Sequence, residues 1–114
     1  MTQLAGERCT ACRPDSPQVT PEEMAQLMPL IPEWHVVDEP IKKLERSYTF
    51  NDFVSALDFT NKVGAAAEEE GHHPALTTEY GKTTVRWWTH AIGGLHRNDL
   101  IMAAKTDRIY AGEL

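Results

Sequence analysis

Three of the five histidines in this chain stand near one another: His72 and His73 are neighbours, and His90 follows after a short interval. Imidazole has an ordinary pKa of about 6.5, so it can take up or release a proton near neutral pH. Several imidazoles in one small volume could protonate one atom of a ligand and deprotonate another, as the removal of water from a heterocycle requires. We therefore take these three residues as candidate catalytic residues.

Convergence of the histidines depends on the local backbone. Successive side chains of an extended segment point to opposite faces, so His72 and His73 reach one ligand only where the chain turns. Gly71 and Pro74 make a turn credible at this point. A zinc site built from the three imidazoles is an alternative. It is less favoured because adjacent histidines rarely converge on one ion, and we expect neither a metal nor another cofactor.

Other residues accompany the histidines at regular spacing. Glu68 precedes His72 by four residues, Tyr80 follows it by eight, and His90 comes ten residues after Tyr80. The remaining members are Pro74, Thr89, Gly94, Leu95 and Asp99. This set resembles the pterin-4a-carbinolamine dehydratase family. Upstream positions that match the same family are Trp34, Leu44, Arg46, Phe50, Asp52, Phe53, Ala56 and Val63. The resemblance therefore extends from about Thr20 to Tyr110.

The resemblance implies an enzyme of the hydro-lyase class. Such an enzyme removes water from 4a-hydroxytetrahydropterin and gives quinonoid dihydropterin, in the recycling of the pterin cofactor of aromatic amino acid hydroxylases. It implies catalytic roles for His72, His73 and His90, and association into a homodimer or homotetramer. The alternative is a pterin-binding or protein-dimerisation module without turnover, since some animal relatives are dimerisation partners of a homeodomain transcription factor.

The residues that would bind or orient the substrate are Glu68, Pro74, Trp88, Thr89 and Asp99. Asp99 has two open interpretations, because an acid three residues after an N-cap at position 96 can cap a helix or can orient a histidine. Glu68 lies in an acidic helix end that is either a solvated face or a source of negative potential for imidazolium. Trp88 could stack on a flat heterocycle, whereas Trp87 is expected in the core.

Two residues depart from expectation. His96 stands where the family usually has Ser or Thr, and imidazole is expected to be a poor N-cap compared with a hydroxyl. Arg46 occupies a strand position where an apolar residue is expected. A partly buried guanidinium needs an acceptor, so we expect it to pair with a carboxylate across the sheet.

Charge and composition exclude several classes of partner. The net charge of −6 and the pI near 5.3 argue against binding to nucleic acid or to an anionic membrane. The longest apolar stretches are much shorter than the roughly 18 residues that span a bilayer. The N-terminus lacks a basic region followed by an apolar one, so we expect a cytoplasmic protein.

Residues 1–19 are predicted to be a flexible N-terminal arm, and residues 20–114 a single dehydratase-like domain. The arm contains Cys9 and Cys12 in a Cys-x-x-Cys motif, with Pro14 and Pro17 and no periodic apolar pattern. Two reduced thiols on a loose arm are the favoured interpretation. A redox or metal half-site, completed by a second subunit, is the alternative, since no second cysteine pair is present.

The hydrophobic pattern predicts three helices and four strands. A helix is expected to begin after Thr20, a second over the stripe Phe53, Ala56, Leu57, Thr60, Val63 and Ala67, and a third over 96–108. Strands are expected at 34–37, 44–50, 75–80 and 83–89, the last two joined by a tight hairpin. The order α-β-β-α-β-β-α predicts an α+β two-layer sandwich, in which helices cover one face of a four-stranded antiparallel sheet.

Overall fold

The computed structural model describes residues 4–112 and shows the expected α+β architecture. The helices are α1 (Pro21–Leu27), α2 (Phe53–Glu70) and α3 (Arg97–Tyr110). The strands are β1 (His35–Asp38), β2 (Lys42–Thr49), β3 (Ala75–Glu79) and β4 (Lys82–Trp87). All neighbouring strands are antiparallel, in the order β1-β2-β4-β3. The predicted order of elements and fold class are confirmed.

The register between the two central strands follows from their alternating side chains. Leu44 of β2 lies opposite Trp87 of β4, and both are buried beneath α2 and α3. On the other face, Glu45 lies opposite Arg86 and the two side chains form an ion pair. A shift by one residue would move every core side chain to the solvent face, so this pattern fixes the pairing.

Helix α2 starts and ends at residues whose chemistry suits those positions. Asp52 Oδ1 accepts a hydrogen bond of 2.8 Å from the Ser55 N–H, which caps the N-terminus. Gly71 ends the helix with φ of 65°, a left-handed conformation that glycine adopts without a Cβ clash. This turn directs the chain from the end of α2 to His72 and His73.

The buried face of α2 differs in part from the predicted stripe. Phe59 is buried along with three residues of that stripe, Ala56, Val63 and Ala67. Phe53 and Leu57 were expected in the core but remain 43% and 41% exposed. The predicted apolar face is therefore rotated about the helix axis relative to the face that is buried. At a period of 3.6 residues, two overlapping apolar faces fit the same sequence.

The carboxylate that pairs with Arg46 lies on helix α3, so the expectation of a partner across the sheet is wrong. Its guanidinium lies 2.7 Å from Oδ1 of Asp107 in α3. The same oxygen accepts hydrogen bonds from Trp34 Nε1 at 2.8 Å and from the Tyr48 hydroxyl at 2.5 Å. Arg46 is on the face of β2 that α3 covers, which explains why the partner comes from the helical layer.

The N-terminal segment also differs from the loose arm that its composition predicts. The side chain of Leu4 is only 2% exposed and joins the main core. Lys105 of α3 donates a hydrogen bond of 2.8 Å to the Ala5 carbonyl, and Arg97 forms an ion pair with Glu7. Burial of one apolar anchor and these polar contacts hold the segment against α3.

Replacing Asp107 with Ala is expected to lower the free energy of unfolding by about 2–4 kcal/mol. The substitution removes the acceptor that Arg46, Tyr48 and Trp34 share. Each partly buried donor that is left without a hydrogen bond costs about 1 kcal/mol or more. Urea unfolding measures the loss. Asp58→Ala is the matched control, because its pair with Lys62 is exposed on both sides and should contribute less than about 0.5 kcal/mol. Equal losses in the two variants would contradict this account of Asp107.

Candidate active site

Loops at one end of the sheet bring the three predicted histidines together. His72 and His73 follow α2, and His90 follows β4 in a short 3-10 turn, His90–Ile92. All three line a shallow depression of about 170 Å³, whose lining residues are Cys12, Gly71, His72, His73, Thr89, His90 and Ala91. Residues distant in sequence therefore share one small volume. Pro74, Glu68, Trp88 and Asp99 do not line it, and the last three contact its histidines from outside.

His72 is the most constrained of the three. Its side chain is buried, and its Nε2 lies 2.6 Å from Asp99 Oδ1. The ring stacks on the buried indole of Trp87 at a centroid distance of 5.9 Å and an interplanar angle of 9°. A carboxylate can only accept, so Nε2 carries the proton of this hydrogen bond. The other ring nitrogen, Nδ1, has no hydrogen-bond partner within residues 4–112 and is left for a ligand.

Asp99 is fully buried, and three donors surround its carboxylate. Besides His72 on Oδ1, its Oδ2 accepts hydrogen bonds from the Thr89 hydroxyl at 2.8 Å and from the His96 N–H at 2.9 Å. The first turn of α3 adds a favourable dipole. Asp99 therefore caps α3, as one of the two interpretations predicts, and it also hydrogen-bonds a histidine, the contact on which the other interpretation depends.

His96 closes the N-terminus of α3, so the expectation of a poor cap is wrong. The Asn98 N–H donates a hydrogen bond of 3.0 Å to His96 Nδ1. An unprotonated ring nitrogen is an acceptor within reach of this N–H, as a serine oxygen would be. Burial lowers the pKa of His96, and charge on His72 lowers it further, while Asp99 and Glu23 oppose the shift. The folded state thus favours the neutral ring that the cap needs.

His73 and His90 are exposed and are held by weaker contacts. His73 Nε2 lies 2.8 Å from Glu68 Oε1, with both side chains more than half exposed, at 60% and 82%. Solvent screening makes such pairs weak. The ring of His90 lies 4.6 Å from that of Trp88, and the Lys43 ammonium group covers the same indole at 4.5 Å. Trp87 lies in the core as predicted, and Trp88 lies beside His90.

Other possible sites offer less chemistry. Within residues 4–112 no group of three or more His, Cys, Asp or Glu side chains is arranged to hold a metal ion. A larger depression of about 340 Å³ between α2 and α3 is lined by Lys62, Ala65, Ala66, Glu69, Glu70, Lys105 and Ile109, and contains no histidine. None of the helices in the described part of the chain is long and apolar enough to cross a membrane.

Comparison with known proteins assigns the chain to a family. The sequence model of the family described as pterin 4 alpha carbinolamine dehydratase matches residues 17–109. The chain belongs to this family. The family is one of hydro-lyases. Cys12 lies outside the matched range, and sequence reasoning did not place it in the site.

Individual relatives support the assignment. A protein of Nitrosococcus oceani, provisionally named a pterin-4-alpha-carbinolamine dehydratase, is 53% identical over 96% of this chain and 97% of its own length. A relative with the same provisional name from Gloeobacter violaceus is 58% identical over 95% and 94%. A crystal structure described as a transcriptional coactivator/pterin dehydratase from Brucella melitensis superposes with a TM-score of 0.75 at 30% identity. The superposition covers 82% of this chain and 99% of the Brucella chain.

Replacing His96 with Ser tests the imidazole cap. Near pH 7.5 the free energy of unfolding should change by less than about 0.5 kcal/mol, whereas His96→Ala should lose about 1 kcal/mol with the acceptor. Folding lowers the pKa of His96, so the unfolded state binds a proton on this ring at a higher pH than the folded state does. The stability of the wild type therefore falls as the pH drops below about 6.5.

The serine variant lacks this proton uptake, so its stability relative to the wild type should rise between about pH 7.5 and about pH 5. Urea unfolding of the three proteins at both pH values measures the difference. A difference between serine variant and wild type that does not change with pH would contradict the imidazole cap.

Proposed function

We propose that this protein eliminates water from 4a-hydroxytetrahydropterin to give quinonoid dihydropterin, by acid–base catalysis from the histidines of the depression. The observation that carries the proposal is the meeting of His72, His73 and His90 in one depression, with His72 fixed by the buried Asp99. Membership in the dehydratase family and the names of the relatives support the same reaction.

The chemistry needs two proton transfers. The C4a–O bond breaks and the oxygen leaves as water after it gains a proton, while N5 loses its proton and its electron pair forms the new C=N bond. One residue must donate to the oxygen and one must accept from N5. The electrons come from the substrate itself, so we propose that neither a metal nor a redox cofactor takes part.

His72 suits the role of base. Its Nε2–H is donated to Asp99, so Nδ1 has the free electron pair that can accept the N5 proton. The imidazolium formed in this way is stabilised by the adjacent carboxylate, which also holds the ring in its orientation. His90, which lines the same depression and follows β4 in the chain, is left as the donor to the leaving oxygen.

His73 has a different role in this proposal. It neighbours His72 in sequence, but it is exposed and contacts Glu68 instead of a buried group. We propose that it hydrogen-bonds the bound pterin and that Glu68 orients its ring. The two adjacent histidines would then have different roles: His72 accepts a proton, and His73 holds the substrate in place.

We also propose that the reaction serves pterin cofactor recycling and that the protein is a homo-oligomer. The family resemblance supports both. The structure offers one observation in favour of association, since Val54, Phe53 and Leu57 expose apolar side chains on one end of α2. Burial of such a patch against a second copy would be favourable. A dimerisation module without turnover is the competing function, and the assay below separates the two.

Turnover of enzymatically generated 4a-hydroxytetrahydropterin tests the proposal. After subtraction of the spontaneous reaction, the wild type should catalyse dehydration, and His72→Ala or His90→Ala should each lose about 100-fold or more in rate. His73→Ala should raise KM more than it lowers kcat, as expected for a binding contact. His35→Ala is the matched control, since that exposed side chain pairs with Glu45 and does not line the depression, and it should retain full activity. Near-normal turnover by folded His72→Ala and His90→Ala variants would contradict the mechanism.

A further inference from the structure

We propose that the N-terminal segment, residues 4–12, supplies a wall of the substrate site, and that Cys12 contacts the bound pterin there. This proposal rests on the proposed function. It starts from one observation: Cys12 lines the same depression as the three histidines, although it lies some 60 residues before the nearest of them.

The segment is an addition to the part of the fold that the family shares. The family match begins at residue 17, after Cys12. The Brucella structure uses 99% of its own length to cover only 82% of this chain. The Nitrosococcus and Gloeobacter relatives, in contrast, align over 96% and 95% of the chain. A contact from this segment would therefore distinguish a subset of the family.

Asn98 clamps the segment onto the start of α3. Its side chain is 1% exposed, and its Oδ1 accepts a hydrogen bond of 3.1 Å from the Thr10 N–H. Its Nδ2 donates to the Thr10 carbonyl at 2.7 Å and to Cys12 Sγ at 3.2 Å. The next residue, Asp99, orients His72. One helix N-terminus thus positions both the proposed wall and the proposed base.

A second anchor holds the segment at Cys9. The Cys9 N–H donates a hydrogen bond of 2.8 Å to Glu70 Oε1 at the end of α2, and the other oxygen of Glu70 pairs with Arg8. The segment is therefore attached to the end of α2 and the start of α3, the two helix ends that flank the histidines. Because the segment is attached to both helix ends, it forms part of the rigid wall of the depression.

The state of the thiols fits a wall and argues against the redox or metal half-site. Burial, together with the charge on Glu70, raises the pKa of Cys9 to about 12. Burial also raises the pKa of Cys12, although the hydrogen bond from Asn98 opposes the shift. Nucleophilic attack and metal binding need the thiolate, so both groups are poor at either task near neutral pH. A neutral thiol is a small, polarisable surface suited to contact with a heterocycle.

Substitutions at position 12 test the contact. Cys12→Leu should narrow the depression and raise KM by about tenfold or more with a smaller effect on kcat, because binding is impaired and the proton-transfer groups remain. Cys12→Ser preserves the size and should stay within about threefold of the wild type. Thr10→Leu is the matched control, since that exposed side chain adds the same bulk on the same segment but does not line the depression. Equal KM values for Cys12→Leu and Thr10→Leu would overturn the proposal.

Protection from alkylation gives a readout that does not depend on turnover. In a Cys9→Ala variant, N-ethylmaleimide can label only Cys12. The raised pKa of this thiol makes the labelling slow, so it is followed over hours at about pH 8.5, where more thiolate is present. Saturating 7,8-dihydrobiopterin should slow that labelling further, by about tenfold or more. In a Cys12→Ala variant the labelling of Cys9 should not respond. Binding of the pterin, followed by intrinsic tryptophan fluorescence, is measured in the same samples. Bound pterin with unprotected Cys12 overturns this proposal alone, whereas a wild-type protein that binds no pterin overturns the proposed function as well.

Discussion

The structure of the site depends on one buried carboxylate. Asp99 is out of contact with solvent, and a carboxylate in that position is costly unless fixed donors surround it. The three donors come from different parts of the chain: His72 after α2, Thr89 after β4, and the backbone of His96 before α3. Satisfying one charge therefore fixes three segments relative to one another, and the first two of these segments carry all three site histidines.

The same arrangement holds one of the three histidines more rigidly than the other two. His72 is held by Asp99 and by stacking on Trp87, so its free nitrogen has a defined direction. His73 and His90 are exposed, and their contacts with Glu68 and Trp88 are weakly restraining. A site with one fixed and two adaptable imidazoles can admit a flat substrate and still present one proton acceptor in a constant position.

The sequence predicts the framework well because local rules determine it. The start of a helix after Thr20, the second strand and the turn at Gly71 each depend on neighbours in the chain, and all are confirmed. The spacing of the histidines identified the site only through the family resemblance, since a lone His-His-Pro carries little information. The direction in which His72 and His73 point could not be read from the sequence, because it depends on tertiary contacts.

Most features that sequence reasoning missed involve partners distant along the chain. Arg46 and Asp107 are 61 positions apart, and Asn98 and Cys12 are 86 apart. No periodicity links such pairs. The imidazole cap at His96 was missed for another reason, since average preferences for N-caps ignore a ring whose acceptor nitrogen is kept unprotonated by burial. The Cys-x-x-Cys motif was visible, but nothing local showed that one thiol lines the site.

The most direct test of the central claim is a ¹⁵N spectrum of the five imidazole rings during titration with 7,8-dihydrobiopterin. The account predicts that, without ligand, His72 carries its proton on Nε2 because Asp99 accepts from it. On titration, the ring nitrogens of His72, His73 and His90 should shift together, while those of His35, which pairs with Glu45 and does not line the depression, should not. Pterin binding that leaves these three rings unchanged, or shifts His35 most, would contradict the account.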